Sequence, residues 1–262
     1  MTRKERKVRL DRLLVERGIS PSGERARALI LSGAVLVNER PVDKAGTAVS
    51  ADVELRIRGE DNPYVSRGGL KLKAAITAFG IDAKGLTALD VGASTGGFTD
   101  CLLQEGARKV YAIDVGYGQF AWSLRKDPRV VLFERTNIRF FSGEGIEDKI
   151  DIVVIDTSFI SLKIVIPAAL KLLKGRATVV ALVKPQFEAG QGEVGKRGVV
   201  RDPALHRKIL DGMVEFCRSL GLRVMGTCES PLLGPAGNKE FFVHAVKEEN
   251  FRSSAAMEPA ET

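Results

Sequence analysis

The segment from Thr87 to Asp100, with the sequence TALDVGASTGGFTD, contains the residue types from which proteins build a cradle for a small ligand. Its first five residues are largely apolar, which is typical of a strand buried on both faces. Gly92, Gly96 and Gly97 then allow a sharp turn and the close approach of a ligand, because glycine has no Cβ. A helix that begins after this turn points free N–H groups and a partial positive charge at the bound molecule.

The spacing within this segment favours S-adenosylmethionine over a dinucleotide. The dinucleotide fingerprint requires a glycine at the position of Ser94, where a Cβ would crowd a pyrophosphate. S-adenosylmethionine has no phosphate, and its amino acid part needs N–H groups and an acid, for which Asp90 is the candidate. Asp114, 22 positions after Gly92, can accept hydrogen bonds from both ribose hydroxyls. These residues alone leave other nucleotides as alternatives.

The predicted cofactor site extends from the glycine turn to the ends of two following strands. Asn137 follows the third strand, where it can face the edge of an adenine. The candidate cofactor-binding residues are Asp90, Gly92, Ala93, Ser94, Thr95, Gly96, Gly97, Phe98, Asp114, Val115, Asn137 and Ile138.

Charged residues end two further strands that are otherwise apolar. Asp156 ends one strand and Lys184 the next, and neighbouring strand ends bring such residues together near the glycine turn. An ion pair at the surface is the structural alternative. Lys71, on a helix before the first strand, and Glu240, at the start of the last strand, add a lysine and a carboxylate and favour a functional site.

The elements that must position these residues alternate between strands and helices, which predicts a doubly wound α/β domain. Strands are expected at 87–91, 109–114, 130–133, 151–156, 177–184, 222–229 and 240–246. Helices are expected at 68–79, 98–104, 119–126, 161–173 and 203–220. The last strand has no helix before it and is a candidate for an antiparallel strand. Residues 186–202 are too rich in glycine for a helix and suggest either a flap over the substrate or a plain loop.

The N-terminal part of the chain has a different pattern and a different charge. Residues 1–73 contain 16 Lys and Arg against 10 Asp and Glu, a net charge of +6 out of the +7 of the whole chain. Such an asymmetry suggests a nucleic-acid partner, although a solvated basic surface is the alternative. Short helices are expected at 8–15 and 24–32, strands at 35–38 and 53–57, and a turn at 39–41.

The residues RLDxLL from Arg9 and RARxLIxxGxVxVN from Arg25 resemble the small RNA-binding domain of the S4 type, found in a ribosomal protein and in many pseudouridine synthases. The chain departs from that pattern at Glu39, where a glycine is usual, and in the spacing of Ser22 from Arg25. With basic residues elsewhere in the chain, the predicted RNA-binding residues are Arg9, Arg12, Arg25, Arg27, Lys44, Arg67, Lys196 and Arg197.

Four domain segments are therefore expected. Residues 1–58 form an α+β RNA-binding domain, 59–65 a polar linker, and 66–248 a Rossmann-like methyltransferase domain. Residues 249–262 are rich in Ala, Ser, Glu and Pro and are expected to be a disordered tail.

Nearly the whole chain resembles the hemolysin-A-like (TlyA) family of ribosomal RNA 2′-O-methyltransferases, whose catalytic domain is of the FtsJ type. The most specific matches are SRGGLK ending at Lys71, LDVGASTGGFTD from Leu89, DTSFISL from Asp156, VKPQFE from Val183 and GPxGNxE ending at Glu240. The resemblance implies a catalytic tetrad of Lys71, Asp156, Lys184 and Glu240. It also implies a cytidine acceptor in small- or large-subunit ribosomal RNA, within assembled subunits.

The chemistry of methyl transfer suits this tetrad. A ribose 2′-hydroxyl is a weak nucleophile, so it must be aimed at the methyl group and must lose its proton. Lys184 is the candidate to hold the hydroxyl and to stabilise the developing alkoxide. If Lys71 lies close by, repulsion between the two ammonium groups would help one lysine to lose its proton and act as a base. Asp156 and Glu240 would position the lysines.

Composition argues against several other classes of protein. With two histidines and no Cys-x-x-Cys spacing among three cysteines, no metal site and no disulfide framework is expected. The charged N-terminus and the lack of long apolar runs predict a cytoplasmic protein without a membrane segment. A membrane-active hemolysin, as the family name suggests, and a non-catalytic RNA-binding factor are the alternatives. The oligomeric state is left open.

Overall fold

A computed structural model describes residues 7–31, 33–58, 62–173, 175–190, 192–195, 198–234 and 236–249. The chain divides into two compact units, Met1–Ser66 and Arg67–Thr262. The predicted domain boundaries, at 58 and 66, remain predictions, and most of the expected tail lies outside the described residues. Lys196 and Arg197, two of the predicted RNA-binding residues, also lie outside the described residues.

The first unit packs two helices against two small sheets. Its elements are β1 (Lys7–Arg9), α1 (Leu10–Glu16), α2 (Gly23–Leu31), β2 (Val35–Val37), β3 (Arg40–Pro41), β4 (Ala48–Ser50) and β5 (Leu55–Ile57). The strands β1 and β4 pair with each other, and β3, β2 and β5 form the second sheet in that order. The apolar faces of both helices meet in a core that includes Leu10, Leu14 and Ile30.

Two local predictions for this unit are wrong. The first helix begins at Leu10 and not at residue 8, because Lys7–Arg9 pairs with Ala48–Ser50, a strand that the sequence pattern did not reveal. The turn lies at Asn38 and Glu39, both with left-handed φ angles of 49° and 62°, so that Arg40–Pro41 is strand. Glu39, which replaces the usual glycine, accepts a hydrogen bond from Arg56 Nε at 2.8 Å.

The second unit is a seven-stranded sheet with helices between its strands. Its strands are β6 (Thr87–Val91), β7 (Lys109–Ile113), β8 (Val130–Phe133), β9 (Ile152–Ile155), β10 (Ala177–Val183), β11 (Arg223–Glu229) and β12 (Phe241–Lys247). Its helices are α3 (Arg67–Phe79), α4 (Gly97–Gln104), α5 (Trp122–Arg125), α6 (Leu162–Leu170), α7 (Pro185–Glu188) and α8 (Pro203–Ser219).

The strand order is β11-β12-β10-β9-β6-β7-β8. Among these strands, β12 alone runs in the direction opposite to the other six. This order confirms the predicted Rossmann-like α/β fold, including its antiparallel last strand. The chain proceeds outward from β6 through β7 to β8 and then returns to β9 on the other side of β6. Ligands of open α/β sheets bind at the carboxyl ends of strands where the order reverses, which here lies between β6 and β9.

Two predictions for this unit need correction. The helix expected at 119–126 is a single turn, Trp122–Arg125. The segment after Lys184 was expected to contain no helix, yet Pro185–Glu188 is helical. Its proline occupies the first helical position, where the missing N–H costs nothing, and the glycines that disfavour a helix begin only at Gly190.

Candidate functional site

The glycine turn after β6 packs closely against the end of β9. Gly92 has a φ of 87°, and a Cβ at this position would lie 2.4 Å from the backbone oxygen of Asp156. Glycine is therefore required here both by conformation and by space. Gly96, with a φ of 95°, precedes the first residue of α4 and completes the turn. The turn brings the ends of the two central strands within contact distance of each other.

Asp90, one of the predicted cofactor-binding residues, is buried next to this turn. Its side chain is fully buried between β6 and α4, where it accepts a hydrogen bond from Thr99 Oγ1 at 2.7 Å. Burial raises the pKa of Asp90 to about 7, and the nearby carboxylate of Asp156 adds to this effect. The other carboxyl oxygen, Oδ1, has no hydrogen-bond partner among the described residues. In this geometry Asp90 supports the turn from behind.

A pocket of about 530 Å³, which we call the glycine-turn pocket, opens above the strand ends. It is lined by six of the predicted cofactor-binding residues, namely Gly92, Ser94, Asp114, Val115, Asn137 and Ile138. The other six lie in or behind the turn and support it, namely Asp90, Ala93, Thr95, Gly96, Gly97 and Phe98. A pocket of this size accommodates a nucleoside-sized ligand.

Asp114 connects the glycine turn to the loop after β7. Its carboxylate accepts hydrogen bonds from the backbone N–H groups of Ser94 and Gly116, each at 2.6 Å. Each carboxylate oxygen can accept a second hydrogen bond, so the capacity for two ribose hydroxyls remains. Asn137 also lines the pocket, and its Oδ1 accepts a hydrogen bond from the backbone N–H of Arg139 at 3.0 Å.

Several lining residues of the glycine-turn pocket were missed by the sequence analysis. They are Val91, Ile113, Gln119, Thr136, Thr157, Ser158, Phe159, Ile160 and Val165. Thr136 and Thr157 follow β8 and β9, so the strand-end rule could have identified them. Gln119 lies in the loop after β7 and had no such signal. The hydroxyl of Thr157 is buried without a hydrogen-bond partner among the described residues.

A second pocket, of about 410 Å³, adjoins the first, and we call it the lysine pocket. It is lined by Ser158, Phe159, Lys184, Gln186, Phe187, Val194, Gly198, Ala236, Asn238 and Glu240. Ser158 and Phe159 line both pockets, so the two spaces meet at these residues. Lys184 lines the lysine pocket only, and its ammonium lies within hydrogen-bond distance of Ser158, one of the two shared residues.

Lys184 and Asp156 form an ion pair at the ends of two neighbouring parallel strands. Lys184 Nζ lies 2.5 Å from Asp156 Oδ1, while its well-aligned hydrogen bond goes to Ser158 Oγ at 2.9 Å. The pairing of β9 with β10 brings the two strand ends together, as the sequence predicted. Ser158, the second contact of the Lys184 ammonium, was not among the predicted site residues.

Lys71 and Glu240 form the second pair of the predicted tetrad. Lys71 Nζ lies 2.5 Å from Glu240 Oε2, and both residues are buried. Glu240 lines the lysine pocket, whereas Lys71 lies behind it on α3. Glu240 Oε1 is buried without a hydrogen-bond partner among the described residues. The structure thus brings the four residues together as two separate pairs.

Glu188 connects the two strand ends of the site. Its carboxylate accepts hydrogen bonds from Ser161 Oγ at 2.6 Å and from the backbone N–H of Leu162 at 2.7 Å, at the start of α6. A carboxylate in this place caps a helix and interacts favourably with its dipole. Burial raises the pKa of Glu188. The helical turn after Lys184 is thereby fixed to the helix after Asp156.

An aromatic pair forms the rim between the two pockets. Phe159 has a left-handed φ of 64°, which is uncommon for a bulky residue, and its side chain is exposed. Its ring centroid lies 5.2 Å from that of Phe187, which follows Lys184 on α7. An exposed ring in a strained conformation at a site rim is a platform on which a flat molecule can stack.

The described basic residues predicted to bind RNA differ in their environment. Arg12, Arg27 and Lys44 are exposed. Arg9 pairs with Asp11, and Arg67 donates to the backbone oxygen of Leu233. Arg25 is half-buried, its backbone N–H bonds to Ser22 Oγ, and its guanidinium donates to the backbone oxygen of Tyr64 at 2.6 Å. Arg25 thus has a structural partner within its own unit.

Among the described residues, there is no group of three His, Cys, Asp or Glu side chains that could hold a metal ion. Within the same part of the chain, no helix is both long and apolar enough to cross a membrane.

Comparison with protein families matches both units. A family model described as FtsJ-like methyltransferase matches residues 64–247, and one described as S4 domain matches residues 8–55.

Individual relatives match over most of the chain. The chain is 47% identical over 239 residues, 91% of its length and 89% of the relative's, to the 16S/23S rRNA (cytidine-2′-O)-methyltransferase TlyA of Mycobacterium tuberculosis. It is 40% identical over 247 residues, 91% of its length and all of the relative's, to Hemolysin A of Brachyspira hyodysenteriae. A solved structure described as "Putative hemolysin from Streptococcus thermophilus" is 39% identical, with a TM-score of 0.74, covering 97% of this chain and 93% of that chain.

Proposed function

The chain belongs to the family of FtsJ-like methyltransferases and carries an S4 domain, and we propose that it methylates the ribose 2′-hydroxyl of a cytidine in ribosomal RNA. The observation that carries this proposal is the position of Lys184. Lys184 lines the lysine pocket, and its ammonium is held by Asp156 and Ser158, which both line the neighbouring glycine-turn pocket. Methyl transfer requires a donor and an acceptor to lie next to each other.

The glycine-turn pocket fits S-adenosylmethionine as the donor. At Gly92 a side chain would collide with the backbone of Asp156, so only glycine lets the turn lie this close to the end of β9 and form the floor of the pocket. Asp114 offers its carboxylate at the end of β7 to the ribose, and Thr157 offers a buried hydroxyl that has no partner among the described residues. When bound, the donor supplies an electrophilic methyl group on a positively charged sulfur. The remaining chemistry belongs to the acceptor side.

The lysine pocket suits the acceptor ribose. Lys184 can hold the 2′-hydroxyl and stabilise the negative charge that develops on its oxygen, which is the role of an oxyanion-stabilising donor. Glu240 lines the same pocket, and its buried Oε1, which has no hydrogen-bond partner among the described residues, can accept one from the ribose. Phe159 and Phe187 offer rings against which a base can stack. Lys71 acts through Glu240, which it neutralises and holds in place.

The substrate follows from the relatives and from the charge of the first unit. The relative from M. tuberculosis is described as acting on cytidine in 16S and 23S rRNA, and an S4 domain with exposed arginines suits RNA. We propose that the protein acts in the cytoplasm on assembled ribosomal subunits.

The test uses purified ribosomal subunits from cells that lack this enzyme, with a donor that carries a labelled methyl group. We expect the label on ribosomal RNA, at a cytidine whose 2′-O-methyl blocks alkaline cleavage. A folded protein that binds the donor but labels no ribosomal RNA would contradict the proposal and favour a non-catalytic RNA-binding factor. Leakage of lipid vesicles on addition of the same preparation would favour a membrane-active protein.

A further inference from the structure

Asn238, a residue of the GPxGNxE motif to which the proposed chemistry gives no role, is buried and bonded to a distant segment. It is 1% exposed. Its Oδ1 accepts a hydrogen bond from the backbone N–H of Val200, and its Nδ2 donates one to the backbone oxygen of Gly198, both at 2.9 Å. A carboxamide has a donor and an acceptor side by side, so it can bond to two backbone groups as a neighbouring strand would.

A second buried side chain holds the same segment from the other side. His206, in the first turn of α8, has its Nε2 3.0 Å from the backbone oxygen of Val200. The imidazole is buried, and its centroid lies 5.5 Å from that of Phe241, which follows Glu240. Both backbone groups of Val200 are therefore bonded to side chains, and the Val200 side chain is itself buried.

The segment held in this way is part of the wall of the lysine pocket. Gly198 lines the pocket together with Asn238 and Glu240. The loop that carries Asn238 is itself closed by a hydrogen bond from the Gly234 N–H to the Asn238 backbone oxygen at 2.9 Å. A Cβ at Gly234 would lie 2.5 Å from Glu240 Oε1, so this loop is packed tightly around the carboxylate.

We propose that Asn238 is a positioning residue for the acceptor nucleotide, because it fixes Gly198–Val200 beside Glu240 and so builds one wall of the lysine pocket. The proposal rests on the proposed function, in which the lysine pocket receives the acceptor ribose. Asn238 does not line the glycine-turn pocket. Loss of its carboxamide should therefore impair the use of RNA and leave binding of the donor intact.

The experiment compares Asn238→Ala with Lys239→Ala, an exposed neighbour that pairs with Glu229 and serves as the matched control. Three quantities are measured: kcat/KM for ribosomal subunits, the Kd for S-adenosylmethionine, and hydrogen exchange at the Val200 amide. For Asn238→Ala we expect kcat/KM to fall at least tenfold, exchange at Val200 to accelerate at least tenfold, and the Kd to stay within twofold. Lys239→Ala should leave all three unchanged.

Conservative variants separate positioning from general damage. Asn238→Asp keeps an acceptor for the Val200 N–H but turns a second acceptor toward the Gly198 oxygen. Its kcat/KM should therefore fall nearly as far as that of Asn238→Ala. His206→Gln keeps an N–H that can reach the Val200 oxygen and should retain kcat/KM within about threefold, whereas His206→Leu should not.

Two results would overturn the proposal. One is an Asn238→Ala variant whose kcat/KM stays within twofold of the wild type. The other is a parallel loss of donor affinity, which would indicate a damaged fold. If the wild type methylates no ribosomal RNA, the proposed function fails, but the exchange measurement still decides whether Asn238 holds the wall. Unchanged exchange at Val200 would then refute that role, and faster exchange would support it.

Discussion

The two lysine–carboxylate pairs of the second unit have the same separation between charges and different surroundings. Lys184 and Asp156 lie 2.5 Å apart at neighbouring strand ends, and Ser158 provides a further partner for the ammonium. Lys71 and Glu240 also lie 2.5 Å apart, but the side chain of Glu240 is 0% exposed against 22% for Asp156. In the first pair both residues line a pocket, Lys184 the lysine pocket and Asp156 the glycine-turn pocket, whereas in the second pair only the carboxylate of Glu240 does.

This difference suggests a division of labour between the pairs. An ammonium that lines the lysine pocket and contacts Asp156 and Ser158 of the glycine-turn pocket can meet the acceptor hydroxyl and the charge that develops on it. An ion pair that is almost wholly enclosed, by contrast, is costly to break. If one partner is removed, the other charge stays buried without compensation, and the folded state loses stability. We therefore expect the first pair to govern the rate of transfer and the second to govern the integrity of the acceptor site.

The largest expected effect comes from breaking the first pair at its lysine. Lys184→Ala removes the donor that would stabilise the developing alkoxide, and we expect kcat to fall by at least about 10²–10³-fold. Binding of S-adenosylmethionine, measured by calorimetry, should be unchanged within about twofold, because Lys184 does not line the glycine-turn pocket. An equal loss of donor binding and methyl transfer would contradict the role assigned to Lys184.

Breaking the second pair should show mainly in stability. Glu240→Gln leaves the buried ammonium of Lys71 without its carboxylate, which should lower the free energy of unfolding by about 3–5 kcal/mol. The double variant Lys71→Met with Glu240→Gln should recover most of that loss without recovering activity. Denaturant titration measures the free energy of unfolding of both variants. The matched change Asp156→Asn should cost less stability, because Lys184 keeps its hydrogen bond to Ser158.

The buried carboxyl group of Asp90 can be compared with the carboxylates of these two pairs. Asp90 has no ion pair among the described residues, and its folded pKa of about 7 lies above the ordinary value of 3.8. The folded state therefore binds more protons than the unfolded state between these values, so stability falls as the pH rises through this range.

Asp90→Asn should remove this pH dependence. The amide is uncharged, and its oxygen can still accept the hydrogen bond from Thr99. The stability of the variant relative to the wild type should rise by about 2–3 kcal/mol between pH 5 and pH 8. Asp211→Asn, on the exposed face of α8, controls for the loss of one negative charge. A stability difference that does not change with pH would show that Asp90 ionises normally.

A smaller effect is expected from the second partner of Lys184. Ser158→Ala removes a hydrogen bond that helps to orient the ammonium; hydrogen bonds to charged groups contribute about 1.5–3 kcal/mol, of which only part is lost here because the ammonium keeps Asp156. We expect kcat to fall about fivefold to tenfold, while Ser158→Thr, which keeps the hydroxyl, should stay within about threefold of the wild type. If Ser158→Ala and Ser158→Thr have the same kcat, the Ser158 hydroxyl does not position Lys184.

The smallest effects concern the first unit, whose charges are mostly exposed. Arg12→Ala with Arg27→Ala should weaken RNA binding and reduce the slope of log K against log salt by about 1 for each phosphate that is no longer neutralised. Arg25→Ala should change the slope less, because its guanidinium is bonded to Tyr64. A salt slope that is the same in all three proteins would argue against docking of RNA on this face.

The fold was largely predictable because its signals are local. The alternation of apolar strands and helices identified the α/β sheet, and the polar residues after the strands identified part of one pocket. The prediction was wrong where pairing with a distant segment decides the structure, as at Lys7–Arg9, which joins Ala48–Ser50. It was incomplete at Ser158 and Gln119, because a loop residue carries no periodicity that reveals which way its side chain points.

By itself, then, the sequence determined the glycine turn and the class of fold, because residue type and spacing act over a few neighbouring positions, and its resemblance to a known family implied the four charged residues of the predicted tetrad. The tertiary structure alone decided that Lys71 pairs with Glu240. Glu240 meets Lys71 across 169 positions of the chain, and Asn238 meets Gly198 across 40. Such contacts depend on the order of strands in the sheet, with β10 between β9 and β12, and no local pattern encodes that order.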